Sequence, residues 1–403
     1  MNFQSRLVNH FQVPTIRHGV ALLLTIGGSL LGQLAQGVEP EFPQSRQEQT
    51  VLAADDFTRR GEMDYLAFPA LIRTAPNEVL ISYKRGRGHA VDPGALLEAI
   101  RFNTKSNQVE ERKVLGQNSK LVYQMGEWVQ FPNGSIGNFA DVQRVVPGET
   151  AKTNQRTGIE WTQSNDQGRT FTPMHKLGLI DGVEYGYLFE AVSVEHAVYA
   201  LAMTFPELPP QTGLTDDQGR RVYGEVCVIT SSDNGETWQF VKNLSQEFGG
   251  LKLNESSLLA LEDGFLIATR GYDSKLRLHR VDSEFNLLQQ LDLTGQTPEM
   301  ESHIGRPRLY RRDGEVYLLG RNHRKGRMEL ANFRLDSETY EVKRMVVLDP
   351  VKSDEVVKDG YYAMPYFEEG QSGAKLNIIT YRRIGSAAKS DLIRLEFDWN
   401  EVR

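Results

Sequence analysis

The chain has 403 residues, 39% hydrophobic and 25% charged, with a formal net charge of -7. This balance belongs to a globular protein and excludes a disordered chain or a bundle of membrane helices. An acidic total without a basic stripe also excludes nucleic acid as a partner, because neutralising phosphates takes clustered Lys and Arg.

Residues 1–37 read as an export signal. Arg6 and Arg17 lead into an apolar run at 20–31, broken by Thr25, Gly27, Gly28 and Ser29, and Ala35 and Gly37 offer small residues for cleavage. An uncleaved N-terminal membrane anchor is the alternative, weakened by Gly and Ser in a span that needs about 20 apolar residues. In both cases the remainder lies outside the cytoplasm, secreted or periplasmic. Residues 38–50 are expected as a linker and 51–403 as one folded domain. The single cysteine, Cys227, excludes an intrachain disulfide, and its apolar neighbours Val226, Val228 and Ile229 mark it as a small buried hydrophobe.

From Tyr65 onward one unit recurs at intervals of about 45 to 60 residues: an apolar strand, a turn and a second β-rich strand. The first copy has Ala70, Leu71 and Ile72, then Val79, Leu80 and Ile81. The second has Trp128, Val129 and Phe131, the turn Asn133-Gly134, then Ile136, and the third joins Ala191 and Val192 to Tyr199, Ala200 and Leu201. The fourth passes from Leu258 and Leu259 through Asp263-Gly264 to Phe265, Leu266 and Ile267. The fifth passes from Leu309 and Tyr310 through Asp313-Gly314 to Val316, Tyr317 and Leu318, and the sixth joins Tyr366 and Phe367 to Leu376, Ile378 and Ile379. Asn-Gly and Asp-Gly between apolar runs are hairpin signals, since these residues tolerate the positive φ of tight turns. Each unit continues into a more polar third and fourth strand. Six units of four strands predict an all-β, six-bladed β-propeller. Residues 48–57 are expected to supply the outer strand of the last blade and close the circle. No long amphipathic helix follows residue 40, which disfavours α/β barrels and doubly wound sheets.

Two turns sharpen the fold. Ser164, Asp166, Gly168, Thr170 and Phe171 repeat their spacing in Ser231, Asp233, Gly235, Thr237 and Trp238. In this pattern Asp caps backbone N–H groups, Gly takes the positive φ and the aromatic pins the hairpin. These turns resemble the Asp-boxes of the sialidase superfamily, which are structural and carry no catalytic information.

The resemblance to exo-sialidases extends over nearly the whole chain after the leader and implies a set of site residues. Asn254-Glu255 opens the fourth unit and Arg270 follows in its next strand, matching the family's assisting glutamate and one arginine of its carboxylate-binding triad. Leu253, Leu258 and Leu259 set Glu255 at the inner edge of an apolar strand; the other reading is a solvated charge at a strand start. Gly360-Tyr361-Tyr362-Ala363-Met364 resembles the segment around the family's tyrosine nucleophile, with Tyr361 in the matching place. Asp92, in the loop after the first unit's second strand, matches the acid/base aspartate, or is a turn residue ahead of Pro93-Gly94. Arg327 stands at the spacing of another triad arginine, with Arg306, Arg308 and Arg321 as rivals, or is a surface charge in the basic run from Arg321 to Arg327.

The chemistry implied is specific. The anomeric carbon of sialic acid bears a carboxylate that repels an anionic nucleophile, so a neutral phenol deprotonated by a neighbouring Glu is favoured. Arginines grip the carboxylate in a planar, bidentate fashion. One position departs from the family: Ala67 stands where the first triad arginine is expected, unless Arg59, Arg60, Arg85 or Arg87 reaches in. Three readings follow: a sialidase with a rearranged clamp, a glycosidase for another sugar, or a carbohydrate-binding propeller that no longer cleaves. The implied partner is a glycan, with sialoglycoconjugates first. The scattered His89, His279, His303 and His323 lack metal-ligand spacing and read as rim or strand residues, so neither metal nor cofactor is expected.

Overall fold

The structure is a computed structural model. It describes residues 38–58, 62–90, 92–147, 152–205, 224–350, 356–370, 373–387 and 389–403. The expected export signal or anchor at 1–37 and the candidates Arg59 and Arg60 lie outside the described residues. No helix among the described residues is long and apolar enough to cross a membrane.

Six antiparallel sheets follow one another along the chain and form a six-bladed β-propeller. The first blade is Tyr65–Ala75, Glu78–Gly86, Leu96–Asn103 and Gln108–Gly116. The second is Leu121–Gln130, Ile136–Pro147, Lys152–Ser164 and His175–Lys176, and the third Tyr185–Val194, Ala197–Thr204, Val226–Ser231 and Gln239–Asn243. The fourth is Leu253–Leu261, Gly264–Gly271, Leu276–Val281 and Leu287–Asp292, and the fifth Gly305–Arg312, Glu315–Arg324, Arg327–Leu335 and Val342–Asp349. In the sixth, Val357–Gly360 and Met364–Gly370 both pair with Gly373–Ile384, followed by Asp391–Asp398.

Burial explains the residue patterns. The second strand of the first blade, Glu78–Gly86, is buried at nearly every position, as a strand sandwiched between neighbouring sheets must be; its apolar run Val79-Leu80-Ile81 is followed by the buried polar side chains of Ser82, Lys84 and Arg85. The outermost strand, Gln108–Gly116, alternates exposed and half-buried residues, with Gln108, Glu110 and Arg112 on the exposed side.

The circle closes as the sequence suggested. Gln47–Leu52 pairs antiparallel with Asp391–Asp398, and Ser390 bridges to Tyr65 and Leu66 of the first blade. Two details differ from the sequence reading. The closing strand ends at Leu52, and Ala54–Thr58 is a short helix that buries Phe57. The stretch 38–50, expected as a linker, already belongs to the sheets: Pro40–Glu41 adds in parallel to Val342–Asp349 and the closing strand begins at Gln47. Such short edge pairings carry no hydrophobic alternation, and so leave no trace in sequence.

The two repeated turns share one bonding pattern. Asp166 accepts from the Thr170 N–H at 2.8 Å and its hydroxyl at 2.6 Å, while Ser164 Oγ accepts from Gly168 N at 2.7 Å. Asp233 accepts from Thr237 N at 2.9 Å, and Ser231 Oγ from Gly235 N at 2.9 Å. Gly168 and Gly235 have φ of 80° and 91°, and an added Cβ would collide with Leu80 and Phe131 respectively. Phe131 follows the end of the second blade's inner strand and Leu80 lies near the start of the first blade's second strand, the end opposite to the residues described next.

Candidate functional site

The inner strands carry register shifts where their side chains turn to the centre: between Ala67 and Ala70, Leu253 and Ser256, Gly305 and Arg308, and Val357 and Asp359. Bulges of this kind re-aim side chains and gather beside functional sites. Phe68 at φ 55° and Arg306 at 48°, within these shifts, and Tyr361 at 63°, just past the last of these strands, also sit in the left-handed region. Each costs on the order of 1–3 kcal/mol, so the surrounding packing must hold it there.

Glu255 is the hub. One carboxylate oxygen accepts from Arg270 Nη1 at 2.5 Å and from the backbone N–H of Arg306 at 3.0 Å. The other accepts the hydroxyl of Tyr362. The guanidinium of Arg321 lies 5.2 Å from the centroid of the Tyr362 ring. Its Nε has no hydrogen-bond partner among the described residues. Gly305, paired with Arg321 across the blade, makes this placement possible, because a Cβ there would stand 2.5 Å from that Nε. Burial opposes ionisation of Glu255, but Arg270, Arg321, the Tyr362 bond and Arg306 outweigh it and draw its pKa down to about 2. Burial raises that of Tyr362, and the Glu255 carboxylate adds to the rise against Arg321 and Arg270. The pair therefore rests as phenol and carboxylate, joined by one hydrogen bond.

Beneath this lies a buried ion cluster. Glu127 accepts from both Arg306 and Arg308, the latter at 2.5 Å; Arg308 also pairs with Glu190 at 3.2 Å, and Arg306 donates to the Tyr187 hydroxyl at 3.0 Å. On the flank, the rings of His303 and His323 are 6.2 Å apart. Burial and then Arg270 lower His303 to about 4; burial and then Arg321 lower His323. Both are thus neutral beside the arginines near neutral pH.

On the other flank, Asp359 accepts from the Tyr65 hydroxyl, from Tyr381 at 3.0 Å, and bonds His89 Nδ1 at 2.7 Å. Burial again opposes its ionisation, but His89 and the two phenols prevail and hold it at about 2. His89 meets Phe68 edge-on with centroids 5.0 Å apart, and Phe68 is 5.1 Å from Tyr362, so both side chains flank one ring.

The structure brings Glu255 and Arg270 together as the sequence suggested and places the other expected residues elsewhere. Tyr361 is the first correction. It is fully buried and packs with Tyr317, Leu319 and Leu330, and its hydroxyl donates to Asp349 at 2.8 Å. Its left-handed φ follows Gly360 at φ 159° and turns it away from the centre, so the next residue, Tyr362, meets Glu255. Arg327 is the second: it is exposed beside the hairpin turn at 325–326, while Arg321, six residues earlier on the partner strand, faces Tyr362. Asp92 is the third. Its side chain is 4% exposed and accepts from the backbone of Arg87 at 2.7 Å and Gly88 at 3.3 Å, with Lys84 Nζ 3.6 Å away, which makes it a latch for its own loop. Ala67 is buried opposite Lys84, and of its candidate replacements among the described residues neither arrives: Arg85 is engaged by Glu62 and Glu98, and Arg87 is exposed. Sequence reasoning kept Arg321 only as a rival, read His89 as a rim or strand residue, and gave no role to Tyr362 or Asp359. Gly305 before Arg306, and Asp359 just upstream of the tyrosine pair, were the available signals.

No family model and no curated protein matches the sequence. Solved structures match its fold. A protein of unknown function from Dyadobacter fermentans aligns over 91% of this chain and 100% of its own, with a TM-score of 0.65 and 13% identity. The intramolecular trans-sialidase of Ruminococcus gnavus aligns over 84% of this chain and 95% of its own, at a TM-score of 0.58 and 11% identity. A Hadza microbial sialidase covers 89% of this chain and 69% of its own, with a TM-score of 0.59 and 13% identity. The fold is thus a sialidase-like six-bladed propeller.

Proposed function

We propose that this chain is a secreted or periplasmic exo-glycoside hydrolase that releases a terminal acidic sugar, sialic acid first, with retention through a tyrosyl intermediate. The observation that carries the reading is the contact of Tyr362, Glu255 and Arg270 at one carboxylate, with Arg321 over the phenol. Glu255 takes the phenol proton as Tyr362 attacks, and Arg270 and Arg321 bind the substrate carboxylate. Arg270 and Arg321 are the cations an anionic sugar would meet, and the imidazoles beside them are neutral. The turns at Asp166 and Asp233 are read as Asp-boxes, and residues 1–37 as the export signal.

Ala67 favours a second reading. With two clamp arginines in place of three, the propeller holds its glycan without cleaving it. Turnover of a 4-methylumbelliferyl sialoside separates the two. Hydrolysis abolished in Tyr362→Phe and retained in Tyr361→Phe supports the enzyme; pure protein that binds sialosides yet releases no fluorophore leaves only the binding reading.

A further inference from the structure

The hydrolase reading lacks a proton donor for the leaving group, because Asp92, assigned to that role by resemblance, is occupied by its own loop. The same loop delivers a different group. The His89 side chain is 48% exposed, against 4% for Asp92. Its backbone is fixed: the His89 carbonyl accepts from Lys84 Nζ at 3.0 Å and from Gln124 Nε2 at 2.8 Å, and Lys84 also ties down the Gly88 carbonyl at 2.8 Å. The imidazole is oriented through Nδ1 by Asp359, itself held by two tyrosines, and Nε2 has no hydrogen-bond partner among the described residues. A buried carboxylate on one ring nitrogen and an open second nitrogen is the arrangement of an oriented acid–base histidine.

We propose that His89, positioned by Asp359, is the acid and base at the glycosidic oxygen. The proposal rests on the hydrolase reading. In the first half-reaction Tyr362 Oη bonds the anomeric carbon and the bond to the glycosidic oxygen breaks with its electron pair on oxygen. The imidazolium of His89 gives its Nε2 proton to that oxygen, and Glu255 holds the phenol proton. In the second, His89 takes a proton from the water that attacks the anomeric carbon, the tyrosyl bond breaks, and Glu255 returns its proton to the phenolate.

The test compares two leaving groups, 4-methylumbelliferone, which departs without an acid, and the galactose of sialyllactose, which needs one. His89→Ala and His89→Gln should lower kcat/KM on sialyllactose by about 10²- to 10⁴-fold, the range of general acid catalysis, and by less than about tenfold on the activated substrate. Asp92→Asn, whose amide oxygen still caps the loop, should lower both equally and modestly. Equal losses on both substrates in the His89 variants, or a leaving-group-dependent loss in Asp92→Asn, would overturn the proposal while the hydrolase reading stands. Wild-type protein inert on both substrates would remove the two together.

Discussion

Replacing Glu255 by Gln tests whether the hub is as electrostatically tuned as its contacts suggest. The amide fits: its oxygen can accept from Arg270 and Arg306, and its NH2 can donate to the Tyr362 hydroxyl, so the change removes charge and little else. The fall of the carboxyl pKa from 4.5 to about 2 corresponds to roughly 3 kcal/mol, at about 1.36 kcal/mol for each tenfold change in proton affinity. Because folding lowers this pKa, the contribution is complete above the unfolded value near 4.5 and vanishes as pH falls through about 2. With an unfolding entropy of about 2.1 cal/mol/K per residue and roughly 360 residues in the propeller, Glu255→Gln should lower Tm by roughly 4 °C near neutral pH. Calorimetry of both proteins from about pH 7 down to about pH 3 reads the difference directly, since every other carboxyl is shared. A Tm gap absent at neutral pH, or one that fails to narrow on acidification, would refute the account of Glu255.

Tyr361→Phe should cost about 1 kcal/mol, one buried hydrogen bond, because Asp349 keeps Arg382 and Arg46 at 2.7 Å each; urea unfolding checks this, and a loss of several kcal/mol would mean the phenol does more. Gly305→Ala displaces the Arg321 guanidinium and should raise KM for sialosides by roughly tenfold or more, the worth of a charge-assisted contact, while kcat changes less. An unchanged KM would remove Arg321 from the clamp. Deleting residues 38–52 exposes the edge of Asp391–Asp398 and breaks the closure, so the sharp thermal transition should be lost or shift far down in calorimetry. A variant that melts like the full chain would show that the closing strand is dispensable.

Much of the architecture was legible in the linear sequence. Asp-Gly and Asn-Gly turns set the repeat, continuous apolar runs marked strands buried on both faces, and the twice-repeated Ser-x-Asp-x-Gly-x-Thr-aromatic turn named the kind of propeller, because these signals act within a few residues of one another. Glu255 and Arg270 were paired through the resemblance to exo-sialidases, and they meet because they stand on neighbouring strands of one hairpin. The rest of the site depends on contacts between blades. Whether Tyr361 or Tyr362 reaches the centre turns on one left-handed residue held by packing against Tyr317 and Leu330, and a one-residue shift in a strand exchanges its faces. Arg321, and not Arg327, lies over Tyr362 because Gly305 of the adjacent strand leaves it room, and the loop of His89 and Asp92 is held by Lys84, Gln124 and Asp359 from three blades. Local chemistry decided the sheets, and only their closure into a circle decided which side chains meet at its middle.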